Sequence, residues 1–375
     1  MLVAGARPNF MKAAPVLRAL SADARFDPIL IHTGQHYDAS MSDAFFADLE
    51  MPAPDVSLAA GSGTHAEQTA RVMVEFETYL LDAAADIVAV IGDVNSTLAC
   101  AVVAAKAGVP VAHIEAGLRS FDRSMPEEIN RVVADSVATI LFTTSADADE
   151  HLRHEGHPAD QIHLVGNTMI DSLERHRAQA ADPAPIKDLG LEPGRYMLVT
   201  LHRPANVDDP ARLARTLTAL ASLPVPVVFP MHPRTRAVAE TAGMSHLLDR
   251  MHIIPPAGYL AFLRLQTHAR LVLTDSGGVQ EETTVLGVPC LTFRNNTERP
   301  ITITQGTNRL IGTDPERIGE EVRQALERPA QPHRIPPLWD GHAAGRIVAV
   351  LARMGGSAPA GAEPEYLPGT NRTPV

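Results

Sequence analysis

The sequence lacks most features that mark secreted, membrane-embedded or metal-binding proteins. It contains only two cysteines, Cys100 and Cys290, and both stand in apolar surroundings. We therefore expect two buried thiols in a reducing cytoplasm, not a disulfide or a pair of metal ligands. No apolar run approaches the roughly 18 residues of a membrane span, and the first residues lack the charged region of a signal peptide. These absences predict a cytoplasmic protein that does not enter a membrane.

Positive charge is also scarce, since the 375 residues carry a formal net charge of −12. This balance argues against nucleic-acid or anionic-membrane partners, although one basic pocket is enough for a small anion. Among the basic residues, lysine occurs only at Lys12, Lys106 and Lys187, so each lysine is a mild clue to function.

Several cofactor motifs are missing. No Gly-x-Gly-x-x-Gly follows the first strand, no Walker lysine loop occurs, and no group of His, Cys, Asp and Glu has metal-ligand spacing. The sequence therefore supports neither a nicotinamide cofactor nor a nucleoside-triphosphate P-loop, and it predicts no metal site.

Strand and helix signals alternate along the whole chain. Amphipathic stretches such as 9–20, 68–84 and 211–222 separate short apolar runs. These runs are 28–33, 86–92, 109–115, 140–144, 162–166, 196–201, 225–231, 270–274 and 288–293. Continuous apolar strands that alternate with helices predict an α/β protein with parallel sheets covered on both faces.

A proline-containing break near 178–194 predicts two domains. We place the N-terminal domain at 1–178 and the C-terminal domain at 190–342. The Pro-, Gly- and Ala-rich end, 357–375, is expected to be mobile.

Residues 271–282 have the pattern of an anion-binding turn. An apolar strand ends in Ser276-Gly277-Gly278, and a polar helix start follows at once. Glycines let backbone N–H groups approach a ligand closely, and the helix N-terminus adds partial positive charge. Such a turn can also serve packing alone, so this segment by itself leaves both interpretations open.

Charged residues recur directly after strands, where parallel sheets bind ligands. Arg7 and Lys12 flank the start of the first helix, a position that the helix dipole makes unfavourable for cations unless an anion binds there. Glu115 ends an apolar strand, where an unpaired buried carboxylate would be costly. Asp93 and Glu127 could cap helices or could join Glu115 in proton transfer.

Nine motifs, in order along most of the chain, make the sequence resemble the non-hydrolysing UDP-N-acetylglucosamine 2-epimerase family. They are GARP with Lys12 at 5–12, GD with STLA at 92–99, HIEAGLR at 113–119, PEEINR at 126–131, GNT at 166–168, TLHR at 200–203, HPR at 232–234, DSGGVQEE at 275–282 and TERP at 297–300. Each motif is moderately specific, and their common order is strong evidence.

The resemblance implies a GT-B-like architecture, in which two Rossmann-type domains face a cleft and a last helix, 343–354, returns to the first domain. It also implies a homodimer that interconverts UDP-GlcNAc and UDP-ManNAc for polysaccharide biosynthesis, without cofactor or metal. In the family, UDP leaves C1 by anti elimination as the C2 proton is removed. UDP then adds back to the 2-acetamidoglucal intermediate with protonation at C2 from the other face.

By position, the resemblance implies roles for individual residues. Asp93, Glu115 and Glu127 match the catalytic carboxylates and His202 the functional histidine, and which carboxylate attacks C2 stays open. The expected substrate-binding residues are Arg7 and Lys12 near the pyrophosphate, Ser276, Gly277, Gly278 and Glu282 at the nucleotide, Phe262 and Arg299 in the pocket, and Arg119 and His232.

Some departures and rivals remain. Gln35 and Arg71 match two positions of an allosteric UDP-GlcNAc site, but Asp38 and the segment 204–206 differ from members that have this site. The rivals are a 2-epimerase of a modified substrate such as a UDP-2,3-diacetamido uronic acid, a hydrolysing epimerase, a UDP-sugar glycosyltransferase and a non-catalytic UDP-sugar binder. The 7–12 segment argues against the hydrolysing enzyme, and the carboxylate set argues against the glycosyltransferase.

Overall fold

The computed structural model describes residues 1–5, 7–34, 46, 48–328 and 333–355, without the side chains of residues 7, 8, 185 and 355. Within these residues the strands form two sheets in which all neighbouring strands are parallel. The first has the order β3-β2-β1-β4-β5-β6-β7, and the second β10-β9-β8-β11-β12-β13. The predicted α/β class with parallel sheets is confirmed.

The strands of the first sheet are β1 Leu2–Ala4, β2 Leu30–His32, β3 Val56–Ser57, β4 Val88–Ile91, β5 Val111–Ala116, β6 Ile140–Thr143 and β7 Ile162–Leu164. Those of the second are β8 Met197–Thr200, β9 Val227–Pro230, β10 His252–Ile254, β11 Leu271–Thr274, β12 Cys290–Thr292 and β13 Asn308–Leu310.

The helices that follow and cover the first sheet are Arg7–Ser21, His65–Ala83, Asn95–Lys106, Pro126–Val137, Ala146–His154 and Thr168–Ala180. Further along are Ala184–Asp188, Pro204–Val207, Pro210–Ala221, Pro233–Thr241, Ser245–Leu248, Tyr259–Thr267, Gly277–Leu286, Ile301–Thr304, Ile318–Glu327 and Ala343–Gly355. No helix in the described ranges is long and apolar enough to cross a membrane.

The helix His65–Ala83 shows how local sequence sets an element's start. Thr64 and Glu67 form a reciprocal capping box that satisfies two backbone N–H groups at the first turn. Val72, Phe76 and Leu80 then recur at helical spacing and are buried. The amphipathic stretch predicted at 68–84 is therefore this helix, which begins three residues earlier.

Strands β3, β10 and β13 escaped the sequence prediction, and all three lie at sheet edges. They are two or three residues long and partly exposed, so they lack the continuous apolar run of a central strand. By contrast, the nine predicted apolar runs each contain one observed strand.

The last helix packs on the first sheet's side of the molecule. Ala344, Ile347 and Leu351 join the hydrophobic core that contains Leu2 and Phe10. The side chain of Asp171 accepts hydrogen bonds from the backbone N–H groups of residues 343 and 344, at 3.0 and 2.7 Å, which caps this helix. The chain therefore crosses from the second sheet back to the first.

Both cysteines are buried and unpaired, which confirms the prediction of two buried thiols. Burial raises the pKa of Cys290 to about 12, and it raises the pKa of Cys100 further. Neither sulfur is a thiolate nucleophile at neutral pH.

Candidate active site

A cleft of about 360 Å³ lies between the carboxyl ends of the two sheets. In each sheet the strand order reverses beside the first strand, between β1 and β4 and between β8 and β11. Loops after these strands diverge to opposite faces and leave a crevice, which is where open α/β sheets bind ligands. Ten of the predicted site residues line this cleft: Lys12, Asp93, Glu127, His202, Phe262, Ser276, Gly277, Gly278, Glu282 and Arg299.

Glu115 lies at an irregularity in strand β5. The register with β6 shifts between Ile114 and Ala116, and Glu115 has a left-handed φ of 73°. A bulge re-aims a side chain, and a non-glycine residue in this region stores about 1–3 kcal/mol of strain. The surrounding structure therefore holds Glu115 in a conformation that the strand alone would not adopt.

Two cations hold the Glu115 carboxylate. Lys12 contacts Oε2 and Arg299 contacts Oε1, and all three side chains are buried. Arg299 lies between β12 and the helix Ile301–Thr304, so this ion pair joins the two halves of the molecule. A buried charge needs such partners, because an unpaired carboxylate here would cost several kcal/mol.

Arg299 is the centre of a larger network. Its Nε donates to Glu281 at 2.6 Å and its Nη1 to Glu298 at 2.5 Å, in addition to the Glu115 contact. Arg294 donates to the second oxygen of Glu298 at 2.7 Å. Although burial alone would raise the pKa of Glu298, the two arginines hold it well below its usual value. Glu298 therefore stays ionised and fixes the position of Arg299.

Asp93, at the end of the loop after β4, pairs with Arg131 from the helix Pro126–Val137. The same guanidinium contacts Glu128. Burial would raise the pKa of Asp93, but the charges of Arg131, Lys12 and Arg299 hold it below its usual value. Asp93 is therefore a carboxylate at neutral pH, able to accept a proton or to stabilise positive charge.

Glu127 is exposed to the cleft at the start of the helix Pro126–Val137. The preceding residue, Met125, touches the opposite half of the molecule. Its sulfur lies 3.8 Å from Arg203 and 3.9 Å from Arg294. The contact holds the start of the helix Pro126–Val137, where Glu127 lies, against loops that follow strands of the second sheet.

His202 follows strand β8 and pairs with Asp275, which follows β11. Its Nδ1 lies 2.8 Å from a carboxylate oxygen of Asp275, while 58% of its side chain is exposed to the cleft. Burial lowers the pKa of His202, but the hydrogen bond and charge of Asp275 more than offset this and raise it. The buried Asp275 also accepts backbone N–H groups of residues 202 and 203, so it orients the imidazole.

The glycine turn predicted as an anion cradle begins the helix Gly277–Leu286. At Ser276 no side chain caps this helix, so its first N–H groups face the cleft. A Cβ on Gly277 would lie 2.4 Å from Arg299 and 2.8 Å from Glu298. Glycine is required here because the backbone passes directly against the ion-pair network.

Glu282 lines the cleft one helical turn further along. Its side chain is buried, and one oxygen accepts a hydrogen bond from Gln266 at 3.2 Å. Burial raises the pKa of Glu282 to about 7. Phe262 and Tyr259, from the preceding helix, line the same part of the cleft and form an apolar wall.

We expect the E282Q variant to gain stability over the wild type as the pH rises. The pKa of Glu282 in the folded protein, about 7, lies above the ordinary value of 4.5. The stability that the neutral Glu282 side chain contributes is therefore fully present below pH 4.5 and is lost as the pH rises through 7. Above pH 7 the buried charge of Glu282 lowers the free energy of unfolding by on the order of 3 kcal/mol. Glutamine carries no charge and avoids this loss. Thermal melting between pH 4.5 and 8 without nucleotide measures the difference. The exposed E150Q variant is the control, and a pH-independent difference for E282Q would contradict the prediction.

Some predicted site residues lie elsewhere. Arg119 is buried behind strand β5, where it pairs with Asp135 at 2.7 Å and Glu155 at 2.5 Å instead of lining the cleft. His232 is exposed and caps the helix Pro233–Thr241 through the N–H of residue 234. Both residues were expected near the cleft because they belong to the recognised motifs. The direction of each side chain, however, depends on neighbours distant in sequence.

The structure describes one of the two candidate allosteric positions, so the allosteric site stays a prediction. Arg71 is exposed and donates to the carbonyl groups of residues 60 and 62, at 2.7 and 2.8 Å. Gln35 lies outside the described residues, as does the side chain of Arg7.

The residues that hold these side chains in place were not predicted from the sequence. Arg131, Asp275 and Glu298 each lie inside a recognised motif. The partners Asp93 of Arg131 and His202 of Asp275 come from other motifs, whereas Glu298 pairs with Arg299 of its own motif. The available signal was an unusual number of charged residues within those motifs. Among the described residues no group of His, Cys, Asp and Glu could hold a metal ion.

Comparison with known proteins places this geometry in a family. Residues 18–352 match the family model of UDP-N-acetylglucosamine 2-epimerase. The UDP-N-acetylglucosamine 2-epimerase of Methanocaldococcus jannaschii is 40% identical over 93% of this chain and 98% of its own. A UDP-2,3-diacetamido-2,3-dideoxy-D-glucuronate 2-epimerase of Pseudomonas aeruginosa is 42% identical over 94% of this chain and 99% of its own.

Two solved structures of enzymes from this family are similar to this chain. The M. jannaschii enzyme in complex with UDP-GlcNAc and UDP superposes with a TM-score of 0.87, covering 94% of this chain and 99% of that one at 40% identity. The Neisseria meningitidis UDP-GlcNAc 2-epimerase bound to UDP-GlcNAc gives 0.84 over 94% and 99% at 29% identity. These neighbours are GT-B-like, which confirms the predicted architecture.

Proposed function

This chain belongs to the UDP-N-acetylglucosamine 2-epimerase family, a family of isomerases, and from that premise we propose that it interconverts UDP-GlcNAc and UDP-ManNAc. One observation carries the proposal. The carboxylates Asp93 and Glu127 line the cleft together with the glycine turn at 276–278, and Glu115 is buried directly behind the lining residues Lys12 and Arg299. A binding module or a glycosyltransferase needs the turn but no such set of acid/base groups at C2.

The proposed reaction has two steps, and the cleft has groups for both. In the first, a carboxylate removes the C2 proton as the C1–O bond breaks, giving 2-acetamidoglucal and UDP. In the second, UDP adds back to C1 while C2 is protonated from the other face. Two proton transfers on opposite faces need more than one acid/base group, and Asp93, Glu115, Glu127 and His202 supply them.

The leaving and returning UDP would bind the second half of the cleft. The free N–H groups at the start of the helix Gly277–Leu286 suit phosphate oxygens, and Lys12 and Arg299 add positive charge. Glu282 would contact the ribose hydroxyls and Phe262 the uracil. Since the intermediate must not escape, the contacts of Met125 with Arg203 and Arg294 support a closed cleft during turnover.

The remaining parts of the proposal concern the whole molecule. Strand distribution supports domains at 1–178 and 190–342, with the helix Ala343–Gly355 completing the first. The homodimer, the cytoplasmic location and the absence of a cofactor stay predictions. Light scattering after size exclusion measures the oligomeric state. Activity in the absence of added cofactor and after treatment with chelator tests whether the reaction needs a cofactor or a metal ion.

Incubation with UDP-GlcNAc in deuterated water tests the function. We expect UDP-ManNAc to form and deuterium to appear at C2 of both recovered UDP-sugars, because C2 is deprotonated and reprotonated in each turnover. Mass spectrometry and proton NMR measure both. Folded protein that gives no exchange would refute the UDP-GlcNAc assignment, and release of free ManNAc would indicate a hydrolysing enzyme.

A second candidate substrate is a UDP-2,3-diacetamido uronic acid. The P. aeruginosa 2-epimerase that is named for such a sugar is as similar to this chain as the UDP-GlcNAc enzymes are. Parallel assays with both UDP-sugars decide between them. A kcat/KM at least tenfold higher for UDP-GlcNAc supports the first proposal, and the reverse order supports the second.

A further inference from the structure

A buried histidine and a buried aspartate link the three segments that carry the catalytic carboxylates. His113, on β5, has no exposed surface, and neither has Asp135, on the helix Pro126–Val137. Nδ1 of His113 lies 2.6 Å from Oδ1 of Asp135, and Nε2 lies 2.8 Å from the carbonyl oxygen of Gly92. Neither residue lines the cleft or would touch substrate.

Both ring nitrogens of His113 face acceptors. A carbonyl oxygen cannot donate, and Asp135 already accepts from the backbone N–H of Gly117 at 3.1 Å and from Arg119 at 2.7 Å. Burial would raise the pKa of Asp135, but the charges of His113 and Arg119 hold it below its usual value. Both ring nitrogens of His113 are therefore engaged, one by the side chain of Asp135 and the other by the backbone of the loop after β4.

The hydrogen bonds of His113 end beside the catalytic residues. Gly92 directly precedes Asp93, and its φ of 68° makes the turn that aims Asp93. Glu115 follows His113 by two positions on the same strand, at the bulge. Asp135 lies on the helix that begins next to Glu127. The side chains of His113 and Asp135 therefore connect the loop of Asp93, the strand of Glu115 and the helix of Glu127.

We propose that His113 and Asp135 are positioning residues for the epimerisation, holding Asp93, Glu115 and Glu127 in the relative geometry that proton transfer needs. The inference rests on the proposed function. A misplacement of about 1 Å can lower a rate by about 100-fold without changing binding. Arg119, expected at the substrate from sequence, instead pairs with the second carboxylate oxygen of Asp135.

The kinetic test uses D135N and H113N with a matched control, D171N. Asp171 is also a buried carboxylate that accepts two N–H groups, but these belong to the last helix. We expect D135N and H113N to lower kcat by about 100-fold, with KM and the Kd of UDP within about threefold of wild type. D171N should lower the melting temperature comparably and leave kcat within about threefold. Equal kcat losses in all three variants, or an unchanged kcat in D135N, would overturn the proposal.

A spectroscopic test does not depend on activity. In ¹H–¹⁵N NMR spectra of the wild type, the buried hydrogen bond between His113 and Asp135 should give a ring N–H signal that lies far downfield and exchanges slowly with solvent. The signal is assigned by its loss in H113N, and D135N should move it upfield. Absence of this signal in the wild type refutes the inference even if the variants do not fold. A wild type that shows the signal but is inactive on both UDP-sugars refutes the proposed function instead.

Discussion

Replacing Glu115 with glutamine is expected to lower kcat by about two to four orders of magnitude, while UDP binds at least as tightly as to the wild type. Under the proposed function, the loss of rate follows from removing an acid/base group that is held at a strained position on β5. Glutamine is close in size and can still accept hydrogen bonds, so the fold should be retained.

The expected gain in UDP affinity has an electrostatic cause. In the wild type, Lys12 and Arg299 both contact the Glu115 carboxylate. The E115Q variant removes one negative charge from between two cations, which increases their attraction for a diphosphate. Calorimetry gives the Kd of UDP, and initial rates of UDP-sugar interconversion give kcat.

The matched control is E127Q. Glu127 is also a predicted catalytic carboxylate, but it is exposed to the cleft and is not among the partners of Arg299. We expect a comparable loss of kcat with an unchanged Kd for UDP. Loss of UDP binding in E115Q would show that Glu115 organises the nucleotide site instead of serving the chemistry.

The central strands and the cleft were predictable from sequence because their signals are local. A buried parallel strand is a continuous apolar run, and the residues that follow it must lie at the sheet's carboxyl edge. For this reason Asp93, His202 and Ser276 were placed correctly at the rim before any tertiary contact was known. Three of the four edge strands, β3, β10 and β13, were missed because exposure removes their apolar pattern.

What the sequence could not predict is the pairing of charges. Asp93 meets Arg131, which is 38 positions away, and Glu115 meets Arg299, which is 184 positions away. The first pair depends on how a loop and a helix pack within the first half of the chain, and the second depends on how the two halves face each other. The same limitation explains Arg119, which was expected at the substrate and instead supports Asp135.

These pairings give the cleft two kinds of carboxylate. Glu298 and Asp275 are structural, since each is buried and held ionised by neighbouring cations or hydrogen bonds. They orient Arg299 and His202. Asp93 and Glu127 line the cleft, and Glu115 lies behind Lys12 and Arg299, two cations that a bound diphosphate would compete for. Substitutions on the two sides of the cleft should therefore separate chemistry from nucleotide binding.

A second large effect is expected from the G277A variant, which should raise the Kd of UDP by about 100-fold or more. The new methyl group would lie 2.4 Å from Nη1 of Arg299 and 2.8 Å from Glu298. Arg299 cannot move aside cheaply, because three buried carboxylates hold its guanidinium. Displacing two charge-assisted hydrogen bonds costs about 3 kcal/mol or more, which corresponds to at least about 100-fold in affinity.

G319A is the matched control for this substitution. Gly319 also lies in a helix, but a Cβ there meets no atom within 4 Å. Alanine should raise the melting temperature slightly, since it stabilises a helix by up to about 1 kcal/mol relative to glycine, and UDP binding should not change. Calorimetric titration of both variants with UDP measures the contrast. If G277A binds UDP within about threefold of wild type, the glycine turn packs against Arg299 without forming the nucleotide site.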